Sequence, residues 1–302
     1  IIENFAELRT ELEAKGHKFK SKTDTEVVPH LIEEFMAQGL GFVEAVAAAA
    51  RRLKGSFALV IAHADFDGLV CVKVESPLVV GVGKDGMYVA SDIPAFLPYT
   101  NTVVRLEDGD LVILRPDGFE IRRVEDLRPV KRRPKRIDWT AEMAEKKGFP
   151  HFMLKEIHEQ PESLKNTLRL EKRYLVMMAD LLLSAPEAFL VACGTSYHAC
   201  LAASYAMAKL ARKPVHPVIA SEFIENYGNS VGPRTAVLAV SQSGETADTL
   251  AAVEHARERG ATILGITNVL GSKLTRVARV YVCQQSGPEI GVAATKTFTA
   301  QL

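Results

Sequence analysis

The stretch Ser241-Gln242-Ser243-Gly244-Glu245-Thr246 decides how the second half of this chain is read. Ahead of it, Thr235 to Val240 (TAVLAV) is uncharged and β-prone. Behind it, Ala247 to Arg259 (ADTLAAVEHARER) carries apolar residues at helical spacing. The stretch is therefore a strand-to-helix turn. Such a turn presents the first N–H groups of a helix and the positive end of its dipole, a natural seat for an anion. Hydroxyls at Ser241, Ser243 and Thr246 and the amide of Gln242, with Gly244 permitting a tight bend, suit a ligand with several acceptor oxygens, phosphate foremost. A helix cap formed by Ser241 or Ser243 accounts for the same residues without a ligand.

Moving toward the N-terminus, Ala188 to Ala192 (AFLVA) is a second strand of buried type. It runs into Cys193-Gly194-Thr195-Ser196 and a small-residue helix, Tyr197 to Ala211. In an open parallel sheet the carboxyl ends of the strands share one edge, so both hydroxyl-rich turns face the same crevice. Helical stretches from Met153 to Glu159 and from Glu162 onward lead into strands at Ala188, Val215, Thr235, Ala261 and Val277 with helices between them. That alternation predicts an α/β doubly wound five-stranded parallel sheet, covered on both faces.

The first half has a different grammar. Helices are expected over Ile2 to Ala14, Val27 to Gln38 and Phe42 to Leu53, the second opened by a capping box at Thr23-Asp24-Thr25-Glu26. Short β-type runs follow at Phe57–His63, Leu69–Val74, Leu78–Val82, Met87–Ser91, Thr102–Leu106, Leu111–Leu114 and Phe119–Val124. Asp67-Gly68, Asp85-Gly86, Asp108-Gly109 and Asp117-Gly118 punctuate them as hairpins or short loops. Helices followed by antiparallel strands make this half α+β. The basic run Lys131 to Arg136 reads as solvated linker, because Glu120, Glu125 and Asp126 precede it. The expected organisation is a first domain at 1–137, a linker at 138–150 and a second domain at 151–302.

Lysine plus arginine equals aspartate plus glutamate at 37 each, so net charge calls for neither nucleic acid nor a membrane surface. No apolar run reaches the roughly 18 residues of a spanning helix, and a cytoplasmic location is expected. Cys71, Cys193, Cys200 and Cys283 are scattered and read as reduced thiols, with no metal site expected. Gly81 to Gly86 satisfies GxGxxG, but a strand follows where a dinucleotide site needs a helix, so it reads as a hairpin. His63, Asp65 and Asp67 read as a turn, and His198 as a packing residue. No GxSxG or GxxxxGK[ST] motif occurs. The chain opens on Ile1 without a methionine and stops at Leu302 inside an apparent helix, so a piece of something longer is expected.

With both turns in hand, the second half resembles a sugar isomerase domain, and the whole chain resembles the isomerising glutamine–fructose-6-phosphate aminotransferases. The matching stretches are Ile1-Ile2-Glu3-Asn4, Thr23 to Val27, Ser76-Pro77-Leu78-Val79, Lys155-Glu156-Ile157, Glu159-Gln160-Pro161, Cys193 to Ser196, Ser241 to Leu250 and Glu289-Ile290-Gly291-Val292-Ala293. The resemblance implies that the first half is the C-terminal part of an αββα glutaminase of the N-terminal-nucleophile type, with Asp24 holding the α-ammonium of L-glutamine. It implies that Ser196, Ser241, Gln242, Ser243 and Thr246 take the phosphate of fructose 6-phosphate, and that Thr195 and Val292 touch the sugar. The implied reaction forms glucosamine 6-phosphate without a cofactor, in a homodimer.

The same resemblance places the cysteine nucleophile before Ile1 and the second isomerase domain beyond Leu302, so no catalytic residue is expected within this chain. Ala294 stands where the family commonly has serine near the sugar, and Lys296 is expected to face solvent or lean toward an anion. The alternatives are a non-catalytic sugar-phosphate-binding regulator, or a related amidotransferase or deglycase acting on another sugar phosphate.

Overall fold

A computed structural model describes residues 1–140 and 145–302. They form two compact units, Ile1–Ala141 and Glu142–Leu302. Part of the linker expected at 138–150 lies outside the described residues.

In the first unit three helices, α1 (Phe5–Ala14), α2 (Val27–Ala37) and α3 (Phe42–Arg52), precede eight strands. These are β1 (Phe57–Ile61), β2 (Leu69–Val74), β3 (Val79–Val82), β4 (Met87–Ala90), β5 (Thr102–Arg105), β6 (Asp110–Arg115), β7 (Gly118–Arg123) and β8 (Lys135–Arg136). They make two antiparallel sheets, ordered β1-β2-β6-β7 and β4-β3-β5-β8. Strand alternation builds the layers. Val70, Val72, Leu111 and Ile113 pack against Leu8, Leu12, Leu31 and Val46 of the helices. Their neighbours Cys71, Val112 and Leu114 pack instead with Val80 and Val104 of the second sheet. The result is helix, sheet, sheet: three successive layers of the expected glutaminase-type sandwich.

Several local readings change. Thr23 does not cap a helix; residues Asp24–Glu26 form a 3-10 turn. The Glu26 carboxylate instead reaches back to the N–H groups of Lys20 (2.6 Å) and Ser21 (2.7 Å). The basic run is not a solvated linker. Arg132 grips Asp110 through two nitrogens (3.0 and 3.1 Å), and Lys135 and Arg136 form β8 against Thr102 and Val103. Asp108-Gly109 is a short loop that passes the chain from one sheet to the other.

The second unit opens with α4 (Phe152–Thr167) and α5 (Lys172–Ser184). It then alternates β9 (Glu187–Ala192), α6 (Gly194–Ala206), β10 (His216–Ile219), α7 (Ala220–Tyr227), β11 (Thr235–Ser241), α8 (Ala247–Glu258), β12 (Thr262–Thr267), α9 (Lys273–Val277), β13 (Val280–Cys283) and α10 (Lys296–Gln301). The sheet order is β10-β9-β11-β12-β13, parallel throughout. Phe189, Val191, Val237 and Ala239 face α7 and α8. Ala188, Leu190, Ala192, Leu238 and Val240 face α5 and α6. Both faces are therefore covered, and every central strand reads apolar at consecutive positions.

Two sequence readings differ here. Val277 closes α9, and the last strand begins at Val280. The helical stretches on either side of Pro161 are one helix. Proline has no N–H for the carbonyl of Ile157, and the Gln160 Nε2 donates to that oxygen instead (3.0 Å).

Candidate functional site

The chain order along the parallel sheet reverses between β9 and β11: the strands that follow β9 go first to one side, as β10, and then to the other. In open α/β sheets this switch point opens a crevice at the carboxyl ends of the two strands. Ala192 sits opposite Val240 in the pairing of β9 with β11, so the segments that follow each strand leave the sheet side by side. Those segments are Cys193 to Ser196 and Ser241 to Thr246. The two turns singled out from the sequence are thus neighbours on one rim.

Each turn opens a long helix. Cys193 is the N-cap of α6 and Thr246 that of α8, and neither side chain caps its helix. Two helix N-termini therefore meet at the switch point without a capping side chain of their own, an arrangement that favours an anion.

The bend at 241–246 is held open by its own hydroxyls. Ser241 Oγ, 3% exposed, accepts from the Gly244 N–H (3.0 Å) and shares a hydrogen bond with Thr246 Oγ1 (2.9 Å). Ser243 Oγ accepts from the Glu245 N–H (3.1 Å). On the other turn, buried Ser196 accepts from Gln301 Nε2 (3.1 Å). A hydroxyl that accepts in this way still holds its own proton to donate, which is what an anionic oxygen needs.

Gly244 is required by this geometry. Its φ is +67°, and a Cβ there would stand 2.2 Å from Ser272 Oγ and 2.8 Å from Thr267 Oγ1. Sequence reading missed this supporting layer. The loop after β12 and the start of α9 clamp the bend through Asn268 N to Gln242 O (2.9 Å), Leu274 N to Gly244 O (3.1 Å) and Lys273 N to Glu245 Oε1 (2.8 Å). The signal was present in Thr267-Asn268, a third polar step off the end of an apolar strand.

Thr195 is the second residue of α6 and is half-buried beside this rim. Val292 lies on the loop between β13, the outer strand of the sheet, and α10, and is fully exposed. That loop is tied to α4. The buried Glu156 carboxylate accepts from the N–H groups of Ile290 (2.6 Å) and Gly291 (3.1 Å), and burial raises its pKa. Gly291 has no room for a side chain, since a Cβ would meet Glu156 Oε2 at 2.6 Å. Lys296 does not face solvent: it is 3% exposed, and the anion it leans toward is the chain's own Glu159 carboxylate at 2.7 Å. The polar motifs near 155–161 and 289–297 are thus partners of one another.

In the first unit Asp24 is half-buried, and its Oδ2 accepts from the Ile2 N–H (2.7 Å). That bond, ahead of the one from the Thr25 hydroxyl, holds its carboxyl below the ordinary range, so it is an anion at neutral pH. Gly83 N to Gly86 O (3.0 Å) closes the β3–β4 hairpin where GxGxxG had formally matched. His63 Nδ1 accepts from Asp65 N within a turn (3.1 Å). His198 is exposed rather than packed, its ring beside Tyr197.

Two parts of the chain resemble known domain families. A glutamine amidotransferase domain matches residues 1–98 and a SIS domain matches residues 181–302. The chain is 48% identical over its whole length to the glutamine–fructose-6-phosphate aminotransferase (isomerizing) of Thermococcus kodakarensis, covering 50% of that protein. The equivalent enzyme of Thermus thermophilus is 46% identical, with the same coverage. Among solved structures, the C-terminal domain of glucosamine-fructose-6-phosphate aminotransferase from Francisella tularensis is 38% identical. The match covers 52% of this chain and 46% of that one, with a TM-score of 0.46. The chain spans about half the length of the two full-length relatives named here.

Proposed function

Because the chain belongs to the family of isomerizing glutamine–fructose-6-phosphate aminotransferases, we propose that its second unit binds the phosphate of fructose 6-phosphate at the β9–β11 switch point. In this reading Ser196, Ser241, Gln242, Ser243 and Thr246 surround the phosphate and Thr195 and Val292 adjoin the sugar. The first unit contributes Asp24 as the carboxylate that pairs with the α-ammonium of glutamine, a charge-assisted bond suited to that group. The whole protein carries ammonia released from glutamine to the sugar phosphate and yields glucosamine 6-phosphate and glutamate. A homodimer in the cytoplasm is part of the same reading. Among the described residues no helix is long and apolar enough to cross a membrane.

The observation that carries the proposal is the meeting of two helix N-termini, neither capped by its own N-cap side chain, at the reversal of strand order, each reached through a hydroxyl-bearing turn. A dianionic phosphate there gains several charge-assisted hydrogen bonds, each of about 1.5 to 3 kcal/mol. Much of this is offset by the cost of association, which leaves the micromolar to millimolar affinity usual for metabolites.

Calorimetric titration with fructose 6-phosphate is the test, with unphosphorylated fructose as the control. Ser243→Ala and Thr246→Ala are each expected to weaken binding by about 1 to 2 kcal/mol. Equal affinities for the wild type and both variants would move the phosphate elsewhere.

A further inference from the structure

The segment between α1 and α2 brings two imidazoles face to face. His17 Nδ1 lies 3.1 Å from His30 Nδ1. A carboxylate oxygen of Glu33, one turn beyond His30 on α2, lies 3.5 Å from the first nitrogen and 3.7 Å from the second. Both rings are largely sheltered, with side-chain exposures of 12% and 19%, whereas Glu33 is open to solvent at 71%. We propose that His17 Nδ1, His30 Nδ1 and Glu33 Oε2 form a binding site for a divalent transition-metal ion of the zinc class.

Three features support it. The first is size. Metal–ligand distances of about 2.0 to 2.2 Å in a tetrahedron put neighbouring donor atoms roughly 3.3 to 3.5 Å apart. A triangle with sides of 3.1, 3.5 and 3.7 Å needs only small shifts to meet that requirement, the largest falling on the exposed Glu33. The second is the pairing of like nitrogens. Two Nδ1 atoms at hydrogen-bond distance can satisfy each other only if one ring carries its proton there and the other does not. A metal ion takes the lone pairs of both.

The third feature is what stands behind the rings. Once Nδ1 binds metal, Nε2 carries the proton and needs an acceptor. Glu34 Oε2 lies 3.4 Å from His17 Nε2, and Glu26 Oε1 lies 3.9 Å from His30 Nε2. Glu34 is itself anchored by Lys15 (3.1 Å). His17 is therefore backed by a carboxylate at hydrogen-bond distance, and His30 by a charge close by, the arrangement that orients histidine toward a metal. The fourth position falls to water. An ion here would join two residues 13 apart in sequence and fix both ends of the segment that carries Asp24.

The test is titration of the untagged, EDTA-treated protein with zinc chloride by calorimetry, and with Co2+ by visible absorption. One equivalent should bind, and bound Co2+ should show the d–d bands of a tetrahedral nitrogen and oxygen site. His17→Gln and His30→Gln should each weaken zinc binding at least about 100-fold, and Glu33→Gln about 10-fold. Glu34→Gln should weaken it about 10- to 100-fold through the orientation of His17. Circular dichroism checks that each variant is folded. Glu33 is exposed and the Co2+ spectrum needs no substitution, so a misfolded histidine variant leaves the proposal testable. Absence of saturable one-equivalent binding overturns it, as does a thiolate-to-Co2+ charge-transfer band, or affinity unchanged in Glu33→Gln.

Discussion

Gly244 concentrates the demands of the bend at 241–246 in one position. Its positive φ excludes ordinary side chains at low cost, and the Ser272 and Thr267 hydroxyls occupy the space a methyl group would need. Gly244→Ala is expected to lower stability by about 1 to 3 kcal/mol and to weaken fructose 6-phosphate binding at least about 10-fold, measured by denaturant unfolding and calorimetry. Retention of wild-type affinity would show that the bend does not shape the site. The cysteines supply a second residue-scale test. Burial pushes the thiols of Cys71 and Cys200 up to about 12, so at pH 8 both are protonated and shielded. A maleimide should leave them unmodified in the folded protein and label them after unfolding, with mass spectrometry of peptides as the readout.

Much of the geometry of the two turns was legible at this scale because hydroxyls, glycine and helix starts leave local marks in sequence. Ser241, Ser243 and Thr246 were identifiable from the turn alone. The partners that hold them were not: Ser272 and Gln301 reach the two turns from other loops and helices, and no local pattern reports such a contact. Lys296 failed for the same reason. A lysine reads as solvent-facing until Glu159, 137 residues earlier, is brought to it.

At the scale of elements, long-range carboxylates do the joining. Glu11 of α1 takes both ends of the Arg52 guanidinium at the end of α3 (2.9 and 2.6 Å), and its pKa falls to about 2, first through that hydrogen bond. A carboxyl depressed in the folded state stabilises above its unfolded value, here 4.5, and the contribution disappears as pH falls from there toward 2. Both side chains are 37% exposed, so solvent screening holds the effect below about 1 kcal/mol. Glu11→Gln should therefore destabilise modestly at pH 7 and much less at pH 2, as read by urea unfolding at the two pH values. A second element-scale expectation concerns α4. Glu156→Ala strips the acceptor from the Ile290 and Gly291 N–H groups. It should cost about 2 kcal/mol or more in unfolding free energy.

Element type followed from pattern: short alternating or continuous apolar runs became strands, and 3.6-residue runs became helices. The failures lie where the chain's own side chains changed the local rule. Gln160 let a helix continue through Pro161, and Glu26 turned back toward Lys20 and Ser21 instead of forming a capping box.

For the molecule as a whole, each buried apolar cluster among the described residues draws on one unit. The change of grammar from helices-then-strands to strict alternation was visible in the sequence, and so was the five-strand count. Strand order was not. Nothing local says that β10 turns away from β11, yet that reversal is what places the two turns beside each other.

The phosphate is proposed to occupy one location, and a crystal structure of the protein with fructose 6-phosphate bound tests that most directly. The predicted result is phosphate oxygens within about 3.2 Å of donors from both turns, with at least one from Thr195–Ser196 and at least one from Gln242–Thr246. Phosphate density contacting only one of those turns, or lying away from the carboxyl ends of β9 and β11, would contradict it.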